Sequence, residues 1–588
     1  MKQLLLSFYL LVLSACGQLE NKTHINESEK LNNIINQYHA FQQVLSPFNH
    51  PEERGNNAKL PDLSPQTLLI NHQRAQDIHH QLLAIDDELL NQNEQINWSV
   101  LRYTLKNKID NYLNKEHYMP LTAESGFHSS ISRINTRTAF KTEQNYRDYL
   151  ARMSALPLYF SQQMAWMDLG IKEGITQPQV VLLGFEDSIK AFIKDDVLES
   201  GYYRPFIQMP AHIEPELQQQ LRGQAKQVIK EKVMASYQRF YDYMVKRYQP
   251  NARKNIAASS LPNGHAYYQN RVEHYTTLKI TADDVHQIGL TEVARIRAEM
   301  QSIITQVGHQ GDFASFIDFL RTDPQFYATT PEDLLKEAAY IAKKMDAQLP
   351  KLFGTLPRTP YGVIAVPANI APKYTTGRYA GPSRDDQPGY YWVNTYRLDR
   401  RPLYVLPALT LHEAVPGHHL QGSIAREMSD VPKFRNSTYI SAFGEGWGLY
   451  AEFLGIEVGL YQDAYSNFGR LTYEMWRACR LVVDTGMHHQ GWSREQAMSF
   501  LAENTALSLH NVRTEIDRYI SWPGQALSYK IGELTIKSLR QKTEQALGVN
   551  FDLRNFHDEL LKNGSMPLSM LEEVIYQYIA RETGRIKD

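Results

Sequence analysis

Apolar residues recur at three- and four-residue spacing along most of this 588-residue chain, and that period commits it to helices rather than sheets. The spacing holds from Leu31 to Leu45, Gln66 to Leu113, Thr142 to Leu169, Glu214 to Tyr248, Asp283 to Ile304 and Pro331 to Leu349, and it resumes after Leu406. Two runs read as strands instead: YGVIAVPA (Tyr361 to Ala368) and GYYWVNTY (Gly389 to Tyr396), β-branched or aromatic and bounded by Pro and Gly. The turn-rich NIAPKYTTGRYAGPSRDDQP between them predicts a hairpin-like excursion. The expected fold is therefore mostly α, a large helical body with one small β-sheet.

A chain of this length forms several domains or one large helical body with a satellite. Pro-Asn-Gly in SSLPNGHAYYQ (Ser259 to Gln269) interrupts the helical pattern and puts a boundary near 260. An N-terminal helical region, 31–260, is poor in chemical constellations, and 261–588 carries the strong ones. A formal net charge of -2 with no long basic block gives no reason to expect nucleic acid.

The N-terminus MKQLLLSFYLLVLSAC has a positive Lys2, an apolar run from Leu4 to Leu13 and small residues before Cys16. That is the layout of a secretory signal over 1–15, too short to span a bilayer as a stable helix. Leu13-Ser14-Ala15-Cys16 resembles a bacterial lipobox, which implies cleavage before Cys16, lipidation of its thiol and attachment to a membrane. Gly17 in place of Asp resembles Gram-negative lipoproteins sorted to the outer membrane, facing the periplasm. The polar residues 16–30 read as a flexible tether. Only Cys479 remains, so the mature chain has no intrachain disulfide and depends on core burial.

The chemistry concentrates in ALTLHEAVPGHHLQ (Ala408 to Gln421). His412-Glu413 opens like the H-E-x-x-H helix of zinc proteases, but Pro416 occupies the place of the second His. On an ideal helix of about 100° per residue, His412 and His418 sit about 120° apart, whereas His419 returns to the face of His412. Two pairings follow. A regular helix joins His412 with His419; a turn distorted by Pro416, which has no N–H, and by Gly417 swings His418 back instead. The second is preferred, with His419 as a neighbour. In SAFGEGWGLYAEFLG (Ser441 to Gly455), Glu445 is the candidate third ligand and Glu452, on the same face, the reserve. Gly446 and Gly448 permit another backbone to come close. Two His and one carboxylate leave a fourth position open, the arrangement of one catalytic Zn²⁺, with Glu413 to accept a proton from its water. The plainer alternative is a surface helix end without metal, with Glu445 an N-terminal helix acid.

Arg480, Asp484 and His488 lie four apart and form one helical stripe. Asp484 would pair with Arg480 and orient His488 towards a substrate carbonyl, unless the stripe is a structural ion pair. Arg518 could grip a substrate carboxylate with two N–H groups, or bridge helices.

LHEAVPGHHLQ, EGWGLYAE, RLVVDTGMHHQGWSREQA and RYISWPGQALSYKIG together resemble the bacterial family catalogued as domain of unknown function 885, many of whose members look like lipoproteins. The resemblance covers most of the mature chain and is most specific from Tyr390 to Gly532. That family is similar in turn to the helical zinc peptidases of the thimet-oligopeptidase, angiotensin-converting-enzyme and Taq-carboxypeptidase groups. Those carry H-E-x-x-H and a Glu on a later helix; this chain has two more residues between its histidines, and dipeptidyl-peptidase-III-like enzymes have one more. The resemblance implies a zincin-like body, a late tyrosine (Tyr529) that stabilises the oxyanion, and a substrate-binding edge strand at GYYWVNTY with Asn394 as a contact.

The expected function is zinc-dependent hydrolysis of peptide bonds in short peptides, with Glu413, Tyr529 and His488 catalytic and Asn394 and Arg518 binding substrate. The alternatives are a non-catalytic periplasmic lipoprotein that binds a ligand or partner, and a metal-dependent hydrolase of a non-peptide amide or ester.

Overall fold

A computed structural model of the chain describes residues 26–46, 58–368, 370–382, 384 and 386–587. The expected signal segment, Cys16 and residues 17–25 of the expected tether lie outside that set. Residues 26–30 are not tether but the first turns of a helix over 26–45. Glu27 is buried there because it pairs with Lys30 and accepts a hydrogen bond from the Asp86 N–H.

The protein is mostly α, with one three-stranded sheet among the described residues. Helix ends follow their capping residues. Thr142 opens Glu143–Glu173 by accepting from the Asn145 N–H, and Thr330 opens Pro331–Asp346 in the same way. The stretch read as one helix from Gln66 is two, Pro65–Leu83 and Gln92–Leu113, because Asn91 caps a new start through the Glu94 N–H. No helix among the described residues is long and apolar enough to cross a membrane.

The break near 260 is a helix entrance rather than a boundary. Asn263 sits at φ 56° immediately before the helix Gly264–Thr276. One apolar core runs from Leu121 to Ala526, so the residues on either side of 260 share it.

The elements that build the site are α1 (Ala282–Gln306), α2 (Leu406–Glu413), α3 (His418–Glu427), α4 (Ser441–Glu457), α5 (Ala464–His488), α6 (Leu509–Ser521) and α7 (Ser528–Leu547). Helix α1 packs along α5, and α4 packs along α7. The second pair is intimate because Gly446 faces Gly532: a Cβ on Gly446 would lie 2.5 Å from the Gly532 Cα.

The sheet holds β1 (Tyr361–Ala365), β2 (Gly377–Ala380) and β3 (Gly389–Val393) in the order β1-β3-β2. β2 and β3 form the expected antiparallel hairpin, while β1 pairs in parallel on the other side of β3. The run GYYWVNTY is therefore the centre of the sheet and not its edge. The free edge next to the HE helix is β2.

Candidate metal centre

Helix α2 runs through LPALTLHE with nearly every side chain buried and stops at Glu413. Its last α-type bond joins the Ala414 N–H to the Thr410 carbonyl at 2.9 Å, and the chain restarts as α3 at His418. Between them the chain folds hard against its own helix. A Cβ on Gly417 would lie 1.9 Å from the His412 carbonyl oxygen, so only glycine fits. The Pro416 carbonyl, turned outwards, accepts from Trp447 Nε1 of α4 at 2.8 Å. This interruption brings the His418 ring beside the His412 ring, centroids 4.7 Å apart and nearly perpendicular.

Both imidazoles converge on a single oxygen. Glu445 Oε2 lies 3.5 Å from His412 Nε2 and 3.3 Å from His418 Nε2. The three ligand-type atoms all fall within 4.8 Å of one another. Glu445 is in the second turn of α4, beyond the reach of an N-terminal capping role. His412 is buried at the base, while His418 and Glu445 retain 14% and 13% exposure and so face solvent.

Glu452, the reserve ligand, stands behind His412 instead. Its Oε1 accepts from His412 Nδ1 at 2.8 Å, and Arg477 Nη2 lies 3.3 Å from the same oxygen. That contact fixes the tautomer and aims Nε2 at Glu445. The His412 ring rests on Gly448, where a Cβ would come within 2.7 Å of it. Burial alone would lower the His412 pKa, but Glu445 and Glu452 outweigh it and push it up to about 10. Burial likewise opposes the Glu445 charge, yet His418 and His412 hold its carboxyl well below the usual range. The cluster calls for positive charge, and its donor set suits a divalent cation.

Glu413 is buried, and its Oε2 accepts from the Tyr379 N–H of β2 at 2.7 Å. β2 thus fixes the carboxylate beside the two histidines. His419, one residue past His418, points to the sheet: its Nδ1 lies 3.1 Å from the Tyr379 hydroxyl and its ring packs on Tyr361. Burial pushes its pKa down to about 4. His418, and not His419, is the histidine that meets Glu445.

Tyr529, in the first turn of α7, lies nearly parallel to the His412 ring at 6.3 Å. Its hydroxyl accepts from Arg518 Nη2 at 3.3 Å; the same nitrogen donates to Gln525 at 2.9 Å, and Arg518 Nη1 is 3.5 Å from Glu515. Arg518 is therefore both an ion-pair partner and a neighbour of the site.

Two expected site residues are engaged elsewhere. His488 is fully buried, with Nδ1 accepting from the Ala258 N–H and Nε2 donating to the Tyr519 carbonyl, both at 3.0 Å. Neither nitrogen is left for a substrate. The stripe of Arg480, Asp484 and His488 diverges because α5 is buried on all sides and each residue meets a different neighbour. Arg480 turns to Glu515 and the Tyr519 hydroxyl; Asp484 accepts from the Tyr268 hydroxyl and the Gly524 N–H. Asn394 is also buried. It donates to the carbonyls of Ala371, Tyr374 and Thr375 and accepts from the Tyr396 N–H, pinning the chain that leads into β2.

Sequence reasoning missed two groups. Tyr439 donates its hydroxyl to Glu445 Oε1 at 2.8 Å while its ring stays 56% exposed. The Tyr379 N–H is a backbone group that carries no residue-type signal at all.

A profile of the family described as "Bacterial protein of unknown function (DUF885)" matches residues 50–575. Among solved structures, "the putative lipoprotein from Colwellia psychrerythraea" is similar at 26% identity and a TM-score of 0.85, covering 94% of this chain and 99% of its own. "A putative lipoprotein of unknown function from Shewanella oneidensis" has 17% identity and a TM-score of 0.66 over the same shares, a likeness of fold. No curated protein matches.

Proposed function

Because the chain belongs to the bacterial DUF885 family, which has no assigned function, its chemistry must be read from its own site, and we propose that this site is a one-zinc centre hydrolysing peptide bonds in short peptides. The observation that carries the reading is the convergence of His412 Nε2 and His418 Nε2 on one Glu445 oxygen, with Glu413 alongside. Two imidazoles and one carboxylate are the ligand set of hydrolytic rather than structural zinc, and a carboxylate next to the first ligand has no purpose in a structural site.

Zinc bound there supplies Lewis acidity and a water that ionises near neutral pH. Glu413 keeps Oε2 on the Tyr379 N–H, which leaves Oε1 to take the proton of the attacking water and return it to the leaving nitrogen. The Tyr529 oxygen receives a hydrogen bond from Arg518, so its own proton is directed elsewhere, to the oxyanion that develops on the scissile carbonyl. The edge of β2 that is not paired with β3 would give an extended substrate backbone something to pair with. Glu452 and Tyr439 hold His412 and Glu445 in place from behind.

Metal analysis of the purified protein beside Glu413→Gln tests the reading. Both should hold one zinc per chain, and turnover of a mixed peptide library should fall about 10²- to 10⁴-fold in the variant. Absence of metal, or turnover unchanged in Glu413→Gln, overturns it. Hydrolysis of esters or other amides without peptides would move the substrate class. In the same proposal the chain is exported and anchored through Cys16 to the outer membrane, facing the periplasm; LSAC and the lipoprotein descriptions of both solved relatives support this. Fatty-acid labelling that persists in Cys16→Ala would sink the anchor.

A further inference from the structure

Beside Tyr529 lies a cationic corner that proton transfer at Glu413 does not use. Arg480 and Arg477 of α5 place their guanidinium carbons 4.0 Å and 5.9 Å from the Tyr529 ring centroid, and Arg518 of α6 reaches its hydroxyl. Arg378 of β2 lies close enough for its charge to act on Arg518 and Tyr529. Acids are outnumbered. Glu515 is shared between Arg480 at 3.1 Å and Arg518 at 3.5 Å, and Glu452, beside Arg477, is committed to His412. Glu124 acts on Arg378 and Arg518 through space but forms no ion pair with either.

Three buried donors in this corner have no partner: Arg477 Nε, Arg480 Nη1 and Arg518 Nε. Their side chains are only 5%, 2% and 8% exposed, and of the three residues Arg518 also reaches the Tyr529 hydroxyl. Arg378 is exposed, rests on the Tyr374 ring at 5.3 Å and makes no ion pair among the described residues. Positive charge in excess of the nearby carboxylates, at an edge where Arg378 is exposed, suits a cluster that a substrate anion completes. The position is informative as well. Arg378 precedes Tyr379, whose N–H holds Glu413. An extended chain advances about 3.3 Å per residue, so Arg378 is anchored one such step along β2 from the group that holds Glu413, which makes it a neighbour of the reacting bond.

We propose that Arg378 and Arg518 form a subsite for a substrate carboxylate, so that the centre prefers peptides carrying an anionic group close to the scissile bond. The inference rests on the hydrolytic reading above, and its test separates the two. The probes are three peptides of one neutral sequence: with a free C-terminal carboxylate, with a C-terminal amide, and with the amide plus one glutamate near the end. Each is turned over by the zinc-loaded wild-type chain, and its binding to zinc-loaded Glu413→Gln is measured by calorimetry. The amide should lose roughly ten- to hundredfold in kcat/KM and in affinity, mainly through KM. Recovery with the added glutamate assigns the subsite to acidic side chains; no recovery assigns it to the chain end. Arg378→Gln, at an exposed position that the fold tolerates, should abolish the discrimination, and Arg378→Lys should restore part of it. An amide that binds and reacts as well as the free acid overturns the inference, as does discrimination that survives in Arg378→Gln. If nothing is hydrolysed, the hydrolytic reading falls, while calorimetry still decides the carboxylate preference.

Discussion

Two histidine-centred regions of the molecule use the same side chain in opposite ways. At the proposed metal centre, His412 and His418 aim ring nitrogens at carboxylate oxygens, and part of the cluster remains open to solvent. At the C-terminal end of α5, His488 is closed off by one backbone N–H and one backbone carbonyl. An imidazole that meets only acids is poised to share them with a cation. One that meets a donor and an acceptor is neutral, satisfied and inert, a peg for two chain segments. The residue type is identical; the partners decide the role.

The sharpest way to break this contrast is to remove one histidine from each region. His418→Ala should lose bound zinc at micromolar chelator and with it about 10³-fold or more of any peptide turnover. His488→Ala should keep full zinc stoichiometry yet lose about 2–3 kcal/mol of stability, because the Ala258 N–H and Tyr519 carbonyl are left buried and unpaired. Elemental analysis and urea unfolding read both. Zinc lost from a folded His488→Ala, or retained by His418→Ala, would erase the distinction.

A smaller effect is expected one step behind the ligands. Glu452→Gln keeps the shape but weakens the acceptor that orients His412, so zinc affinity should fall about ten- to hundredfold with little change in fold. The orphaned Glu452 Oε2 and the nearby Arg477 make charge, rather than shape, the property removed. Competition with a chelating dye measures it. Equal affinity in the variant would mean that Gly448 and the tight α2–α3 turn alone fix the ring.

How much of this could be read beforehand depends on what each signal encodes. Helices were legible because their spacing and caps are local, as at Thr142 and Thr330. His412, Glu413, His418 and Glu445 stood out because imidazole and carboxylate carry their chemistry in the residue type, and Pro416-Gly417 announced a distorted turn. Partners are a different matter. Nothing local told that β3 would gain β1 as a parallel neighbour and so leave the edge to β2. Asn394 and His488 look the same in sequence whether they face substrate or backbone. Pro-Asn-Gly near 260 encodes a left-handed entry to a helix and says nothing about whether the core continues past it. Tyr439 is one of 35 tyrosines, and the Tyr379 N–H is common to every residue but proline.

The finest test of the contrast is the response of the closed region to pH. Burial pushes Asp484 up to about 7, so above pH ~4 the fold keeps a proton that the unfolded chain releases. Its contribution is complete below that pH and is lost as pH rises towards 7. Burial pushes His488 down to about 4, so below pH ~6.5 the unfolded chain binds a proton that the fold refuses. That contribution is complete above 6.5 and is lost as pH falls towards 4. Between pH ~4 and ~6.5 the two slopes, each at most about 1.4 kcal/mol per pH unit, oppose and largely cancel. Asp484→Asn should uncover the histidine: relative to the wild type, its stability should rise with pH across this window. His488→Gln should tilt the difference the other way. Urea midpoints at two pH values for the wild type and each variant give the slopes. A flat difference for Asp484→Asn would mean that Asp484 is ionised throughout. The turn that carries Gly524 towards Tyr529 would then be anchored by charge, as the His412–Glu445 cluster is, and the two regions would no longer be opposites.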